Sequence, residues 1–158
     1  MIYTSYYGKM SKFPDNMIPI SISQGVPKWY KGNVFKELAP SWDILMEYKN
    51  STGSESEKEQ RYNERYVKEI LNKSTPLKTI TRLENFLPES IKKEFLSSYV
   101  PIWGRSNIHI VLLCYEKEEN FCHRQLVSEW FNHANIPCKE LTDKELEACK
   151  EEDIENEL

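Results

Sequence analysis

The chain has 158 residues, 39% of them hydrophobic and 29% charged, which is the size and balance of one ordinary soluble domain with a single core. The net charge of -4 is uneven: residues 142–158 hold eight acids against two lysines, so the remainder sums to +2 and argues neither for nor against an anionic ligand. A membrane helix needs roughly 18 consecutive apolar residues, and the longest apolar stretch here, Ile108 to Tyr115, is shorter and interrupted by His109.

Met1-Ile2-Tyr3-Thr4-Ser5 has neither the basic flank nor the apolar run of a secretory signal, so the expected location is cytoplasmic. Cys114, Cys122, Cys138 and Cys149 are then expected to be thiols rather than disulfides.

In chain order, Ile2 to Tyr7 and Met17 to Ile22 read as two strands, each rich in aromatic and β-branched residues and separated by turn formers. Only nine residues, Gly8 to Asn16, join them. A parallel crossover usually takes a dozen or more, so either this one is abbreviated or the pair is antiparallel. Ser23 to Ser41 is a long connection, with Trp42-Asp43 anchoring the helix that follows. Asn50 to Lys58 is a polar insert that ends in a Ser54 and Glu57 capping box. A long amphipathic helix follows, carrying Tyr62, Tyr66, Val67, Ile70 and Leu71. Thr75-Pro76 and Leu87-Pro88 place proline at the first position of two shorter helices, one over Leu77, Ile80 and Leu83 and one over Ile91 and Phe95.

Asn107 to Tyr115 is the strongest strand signal, and its near-continuous apolar character suits a central position covered on both faces. Leu126, Val127, Trp130, Phe131 and Ala134 make the stripe of a helix ending before Pro137, and Cys138 to Leu141 reads as a last strand. Strands interleaved with helices predict an α/β fold: a three-layer sandwich, Rossmann-like, with a small, mostly parallel sheet flanked by helices. Residues 1–141 form the expected single domain. Residues 142–158 form an acidic C-terminal tail that opens on a Thr142 and Glu145 capping box and then frays under like-charge repulsion.

The segment from Leu112 to Arg124 reads as strand, turn and helix start, and ligands of α/β sheets sit at that end of the strands. Cys114, Glu116, Cys122, His123 and Arg124 are expected to converge there. Cys122 at a helix N-terminus beside cationic neighbours has the setting of a reactive thiol, with His123 as its partner and Glu116 as general base. Arg124 presents a planar fork to a phosphate or carboxylate. Cys114 is equally readable as a buried core residue, and His123 as a structural histidine.

A metal reading uses Cys114, Cys122 and His123 with Glu116 or water as fourth ligand. The Cys-x7-Cys-His spacing matches none of the common zinc patterns, and adjacent side chains on a helix diverge by about 100°, so no metal is expected. The second constellation is Gly25 to Gly32, where Trp29 and Tyr30 lie between Lys28 and Lys31. Such a loop suits base stacking with phosphate neutralisation, or else folds Trp29 over the sheet as a cover. Tyr6 and Ser21, with Ser5 and Ser23, are expected at the same strand ends.

The run LLCYEKEENFCHR followed by QLVSEWF resembles the signature of the domain of unknown function 488 family. IYTSYYGKM, IPISIS, GVPKWYKG and LAPSWD are similar to a compact subgroup found in phages and low-GC bacteria. The resemblance implies a Rossmann-like α/β sandwich with motif residues at Cys114, Glu116, Cys122, His123 and Arg124. It names no reaction and no cofactor.

The leading expectation is a pocket that binds a phosphorylated or nucleotide-like small molecule, with Arg124 on the anion and Trp29 or Tyr30 stacked on a ring. The alternatives are a thiol- or carboxylate-dependent enzyme acting on nucleotides or nucleic acid, and a sequestering or host-interaction protein without catalysis. Nucleic acid is a weak partner for a body charge of only +2.

Overall fold

The computed structural model describes residues 1–89 and 108–157. Five strands form one all-parallel sheet: β1 (Ile2–Tyr6), β2 (Met17–Ser21), β3 (Asn33–Val34), β4 (His109–Cys114) and β5 (Cys138–Glu140), in the order β3-β2-β4-β1-β5. The helices are α1 (Trp42–Asn50), α2 (Glu55–Glu69), α3 (Pro76–Leu83), α4 (His123–His133) and α5 (Asp143–Glu157). This is the expected three-layer α/β architecture. The helix expected over Ile91 and Phe95 lies outside the described residues.

β4 is central because its sequence has no polar face to expose. Every residue from His109 to Cys114 is buried, with Ile110 beside Ile2 of β1 and Ile18 of β2. Its alternation divides the core into two clusters. Ile110, Leu112 and Cys114 join Ile2, Ile20, Tyr62, Tyr66, Val127 and Phe131 on one face. Val111 and Leu113 join Tyr3, Tyr7, Met17, Tyr30 and Leu141 on the other.

The link from β1 to β2 is the abbreviated crossover, and the two strands flank β4 without pairing. A 3-10 helix, Tyr7–Lys12, covers part of the return. Six residues at about 2.0 Å each, followed by an extended stretch, suffice to pass one intervening strand. Pro19 is tolerated within β2 because β3 pairs only at Ile20 and Ser21, leaving the Pro19 backbone beyond its reach.

The helix ends follow their local chemistry. Ser41, Ser54 and Thr75 accept from Ile44, Glu57 and Lys78 N-H groups respectively, and Pro76 opens α3. Asn135 takes φ 59° just past α4, supplying the left-handed residue that glycine more often provides.

The acidic segment corrects the expectation of a fraying appendage. Its capping box forms, with Thr142 Oγ1 accepting from the Glu145 N-H at 3.2 Å. The helix then buries Leu146 and Cys149 in the second core cluster. Eight acids do not prevent docking, because the two apolar residues three apart share one helical face while Glu147, Glu151 and Glu155 look to solvent. Buried Lys9 anchors the junction by donating to the Leu141 carbonyl at 2.9 Å and pairing with Glu118 and Asp143. Among the described residues no helix is long and apolar enough to cross a membrane.

Candidate functional site

β4 ends at Cys114, a turn follows, and α4 opens at His123 with Cys122 as its N-cap. Cys122 is extended, with φ -156° and ψ 146°, so it stands outside the helical repeat. Its sulfur folds back toward the imidazole. Cys122 Sγ lies 3.7 Å from His123 Nδ1, and Cys114 Sγ lies 3.9 Å from Nδ1 and 3.5 Å from Nε2. Nε2 is also 2.7 Å from the carbonyl oxygen of Ile22, just beyond β2. That oxygen can only accept, so Nε2 donates to it, and Nδ1 is the ring nitrogen left facing Cys122. Tyr66 packs against the imidazole with ring centres 5.2 Å apart.

Burial holds the Cys114 thiol well above its ordinary range, while Cys122 is pulled down by the hydrogen bond from Cys114 and then by His123.

These three residues floor a pocket of about 370 Å³. Its walls are aromatic: Trp42 and Tyr48 come from α1, Tyr62 from α2, and Tyr115 and Phe121 from the turn. Tyr48 lies 5.6 Å from Tyr62 and 5.5 Å from Phe121 between ring centres. Ser23, Gln24 and Glu116 add polar groups to the lining.

The structure brings together Cys114, Glu116, Cys122 and His123, with Ser23 at the same rim. The remaining expected site residues lie elsewhere. Arg124 is fully buried and shares its guanidinium between Glu140 and the Glu116 carbonyl, because the first turn of α4 aims it under the sheet edge. It does not line the pocket, and among the described residues neither Lys nor Arg does. Tyr30 is buried on the other face and donates to the Asn33 carbonyl at 2.6 Å.

Trp29 is 58% exposed and packs edge-on against Tyr7, so the Gly25 to Gly32 loop covers the opposite face of the sheet. Lys31 is exposed there. Ser21 bonds the Tyr7 hydroxyl at 2.5 Å beneath this cover, and Tyr6 lies alongside Lys9 in a separate polar cleft.

Sequence reasoning missed Tyr48, Tyr62 and Phe121 as walls. Tyr62 was visible as part of the apolar stripe of α2, but nothing local says that this stripe overhangs the end of β4. Comparison with models of known protein families, with curated proteins and with solved structures returned no match.

Proposed function

We propose that the chain binds a small, uncharged ring compound of the nucleobase or nucleoside class in the pocket at the ends of β2 and β4. The observation that carries this reading is the lining. Trp42, Tyr48, Tyr62 and Phe121 wall a space of about 370 Å³, within the range of small-molecule sites. Aromatic faces stack on any flat base, and Ser23, Gln24 and Glu116 offer a few polar contacts for orientation. The phosphate part of the expectation loses its support, because Arg124 is spent on Glu140. The resemblance of LLCYEKEENFCHR to the domain of unknown function 488 family belongs to the same proposal, since its Cys114, Cys122 and His123 are the pocket floor.

The test is a titration of the full chain with adenosine, guanosine, cytidine, uridine and their monophosphates, followed by tryptophan fluorescence with Trp42→Phe as signal control. Saturable binding of at least one nucleoside is expected, no weaker than that of its monophosphate. Phe121→Ala should weaken it about tenfold, as loss of one stacking ring does. Absence of saturation by all eight compounds, or clearly tighter binding of a monophosphate, overturns the reading.

A further inference from the structure

We propose that Cys114, Cys122 and His123 form a zinc site with three protein ligands, its fourth position open to the aromatic pocket. Their ligand atoms lie within 4.8 Å of one another, and all three residues are buried. Nδ1 of His123 is 3.7 Å from Cys122 Sγ and 3.9 Å from Cys114 Sγ. A tetrahedral zinc with bonds of about 2.3 Å to sulfur and about 2.0 Å to nitrogen separates the two ligand types by roughly 3.5 Å. Cys122 and His123 meet that spacing within a few tenths of an ångström, while Cys114 Sγ, 3.5 Å from Nε2, must swing toward the Nδ1 side of the ring to complete the trio.

The histidine is already oriented for this. The Ile22 carbonyl accepts from Nε2 at 2.7 Å, which leaves Nδ1, 3.7 Å from Cys122 Sγ, as the nitrogen for the ion. Such a partner on the far nitrogen is the usual companion of a metal-bound imidazole. The divergence of about 100° between adjacent helical side chains does not apply, because Cys122 is an extended N-cap and only His123 is helical. Two sulfurs and one imidazole suit zinc. On loading, Cys114 and Cys122 bind as thiolates, and the thiol protons displaced pass to solvent. Two thiolates then balance the charge of the ion, leaving the buried centre neutral.

Among the described residues the cluster contributes three ligands, and all three also line the pocket. The fourth position is therefore left for water or a pocket occupant, the arrangement of zinc sites that act on ligands rather than brace a fold. This assignment makes Cys122 a ligand rather than a nucleophile. It stands whether or not a nucleoside fills the pocket.

Among the described residues there is one competing trio. His109, Cys149 and Glu152 also place their ligand atoms within 4.8 Å of one another, but His109 Nε2 is engaged by Glu152 at 3.1 Å and Cys149 pairs with Tyr3. The experiment separates the two.

The full-length chain is purified without chelator and its zinc is measured by elemental analysis and native mass spectrometry. The metal-free form is then titrated with zinc and cobalt. One zinc per chain is expected, with cobalt giving thiolate charge-transfer and tetrahedral visible bands. Cys122→Ser should weaken zinc binding at least about a hundredfold, since loss of an outer partner alone costs up to about that much. Serine is a favoured N-cap, so this variant should keep its thermal melt. Cys149→Ala should leave zinc unchanged.

Failure of the folded wild type to take up equimolar zinc overturns the site. So does zinc retained by Cys122→Ser but lost by Cys149→Ala. A cobalt spectrum unmoved by added imidazole overturns the open fourth position. Nucleoside titrations run on zinc-loaded and metal-free protein report on the pocket separately from metal stoichiometry.

Discussion

Arg124 Nε lies 3.0 and 3.2 Å from the two carboxylate oxygens of Glu140, and Thr4 donates to the same carboxylate at 2.6 Å. One charge pair thus ties the start of α4 to β5 and β1, and the second arm of the guanidinium holds the Glu116 carbonyl in the turn. It positions the site from below. Glu140→Ala should cost about 3 kcal/mol, because removing one partner leaves the buried guanidinium uncompensated. Replacing both, Arg124→Met with Glu140→Leu, should recover most of that loss. Urea denaturation of the three proteins checks this. A Glu140→Ala midpoint equal to wild type would show that the pair holds nothing.

The docked acidic helix makes a second prediction. Leu146 is 1% exposed against the sheet while Ile154, on the same helix, is 61% exposed. Leu146→Ala should therefore destabilise by about 2–4 kcal/mol through lost burial and the cavity left behind. Ile154→Ala should stay within about 0.5 kcal/mol of wild type. Equal, small effects would mean that α5 is only loosely attached.

Tyr7 links the two sides of the sheet end. Its hydroxyl lies 2.5 Å from both Ser21 Oγ and Ser23 Oγ, and Ser23 in turn donates to the Gly25 carbonyl. Tyr7→Phe leaves two buried serines with one partner fewer, at an expected cost of about 1–3 kcal/mol. Because Ser23 and Gly25 line the pocket, amide hydrogen exchange should also quicken from Ile22 to Gly25. Unchanged exchange there would separate Tyr7 from the pocket rim.

His109 sets an acid limit on stability. It is buried in β4 beside the Tyr3 ring, with Glu152 at 3.1 Å and the N-terminal ammonium and Cys149 nearby. Burial, followed by the ammonium charge, lowers its pKa from 6.5, against the opposing pull of Glu152. Below that ordinary value the unfolded chain takes up a proton that the folded chain declines, so stability is full above it and falls as pH drops. Wild type should have a lower urea midpoint at about pH 5.5 than at about pH 7.5. The drop should be smaller in His109→Gln. A wild type that gains stability on acidification would contradict the assignment.

The parts of this protein legible in its sequence are those governed by near neighbours. The run from Ile108 to Cys114, apolar but for His109, reads as a buried strand, and a serine or threonine three residues before the N-H it caps starts a helix at Ser54 and Thr75. The association of Cys114, Cys122 and His123 was visible for the same reason, since one strand, one turn and one helix start connect them.

Tertiary structure alone decided what surrounds them. Arg124 faces Glu140 instead of a ligand because the sheet order puts β5 beside β1, and three aromatic walls, Trp42, Tyr48 and Tyr62, arrive from α1 and α2, far before the motif in the chain. The Trp29 and Tyr30 loop went to the opposite face, where Tyr7 offered it an aromatic seat. The acidic segment packed because Leu146 and Cys149 had apolar sheet to cover, and their burial outweighs a repulsion that water screens. Charge partners and pocket walls depend on which elements the sheet makes adjacent, and strand order is a property of the whole chain.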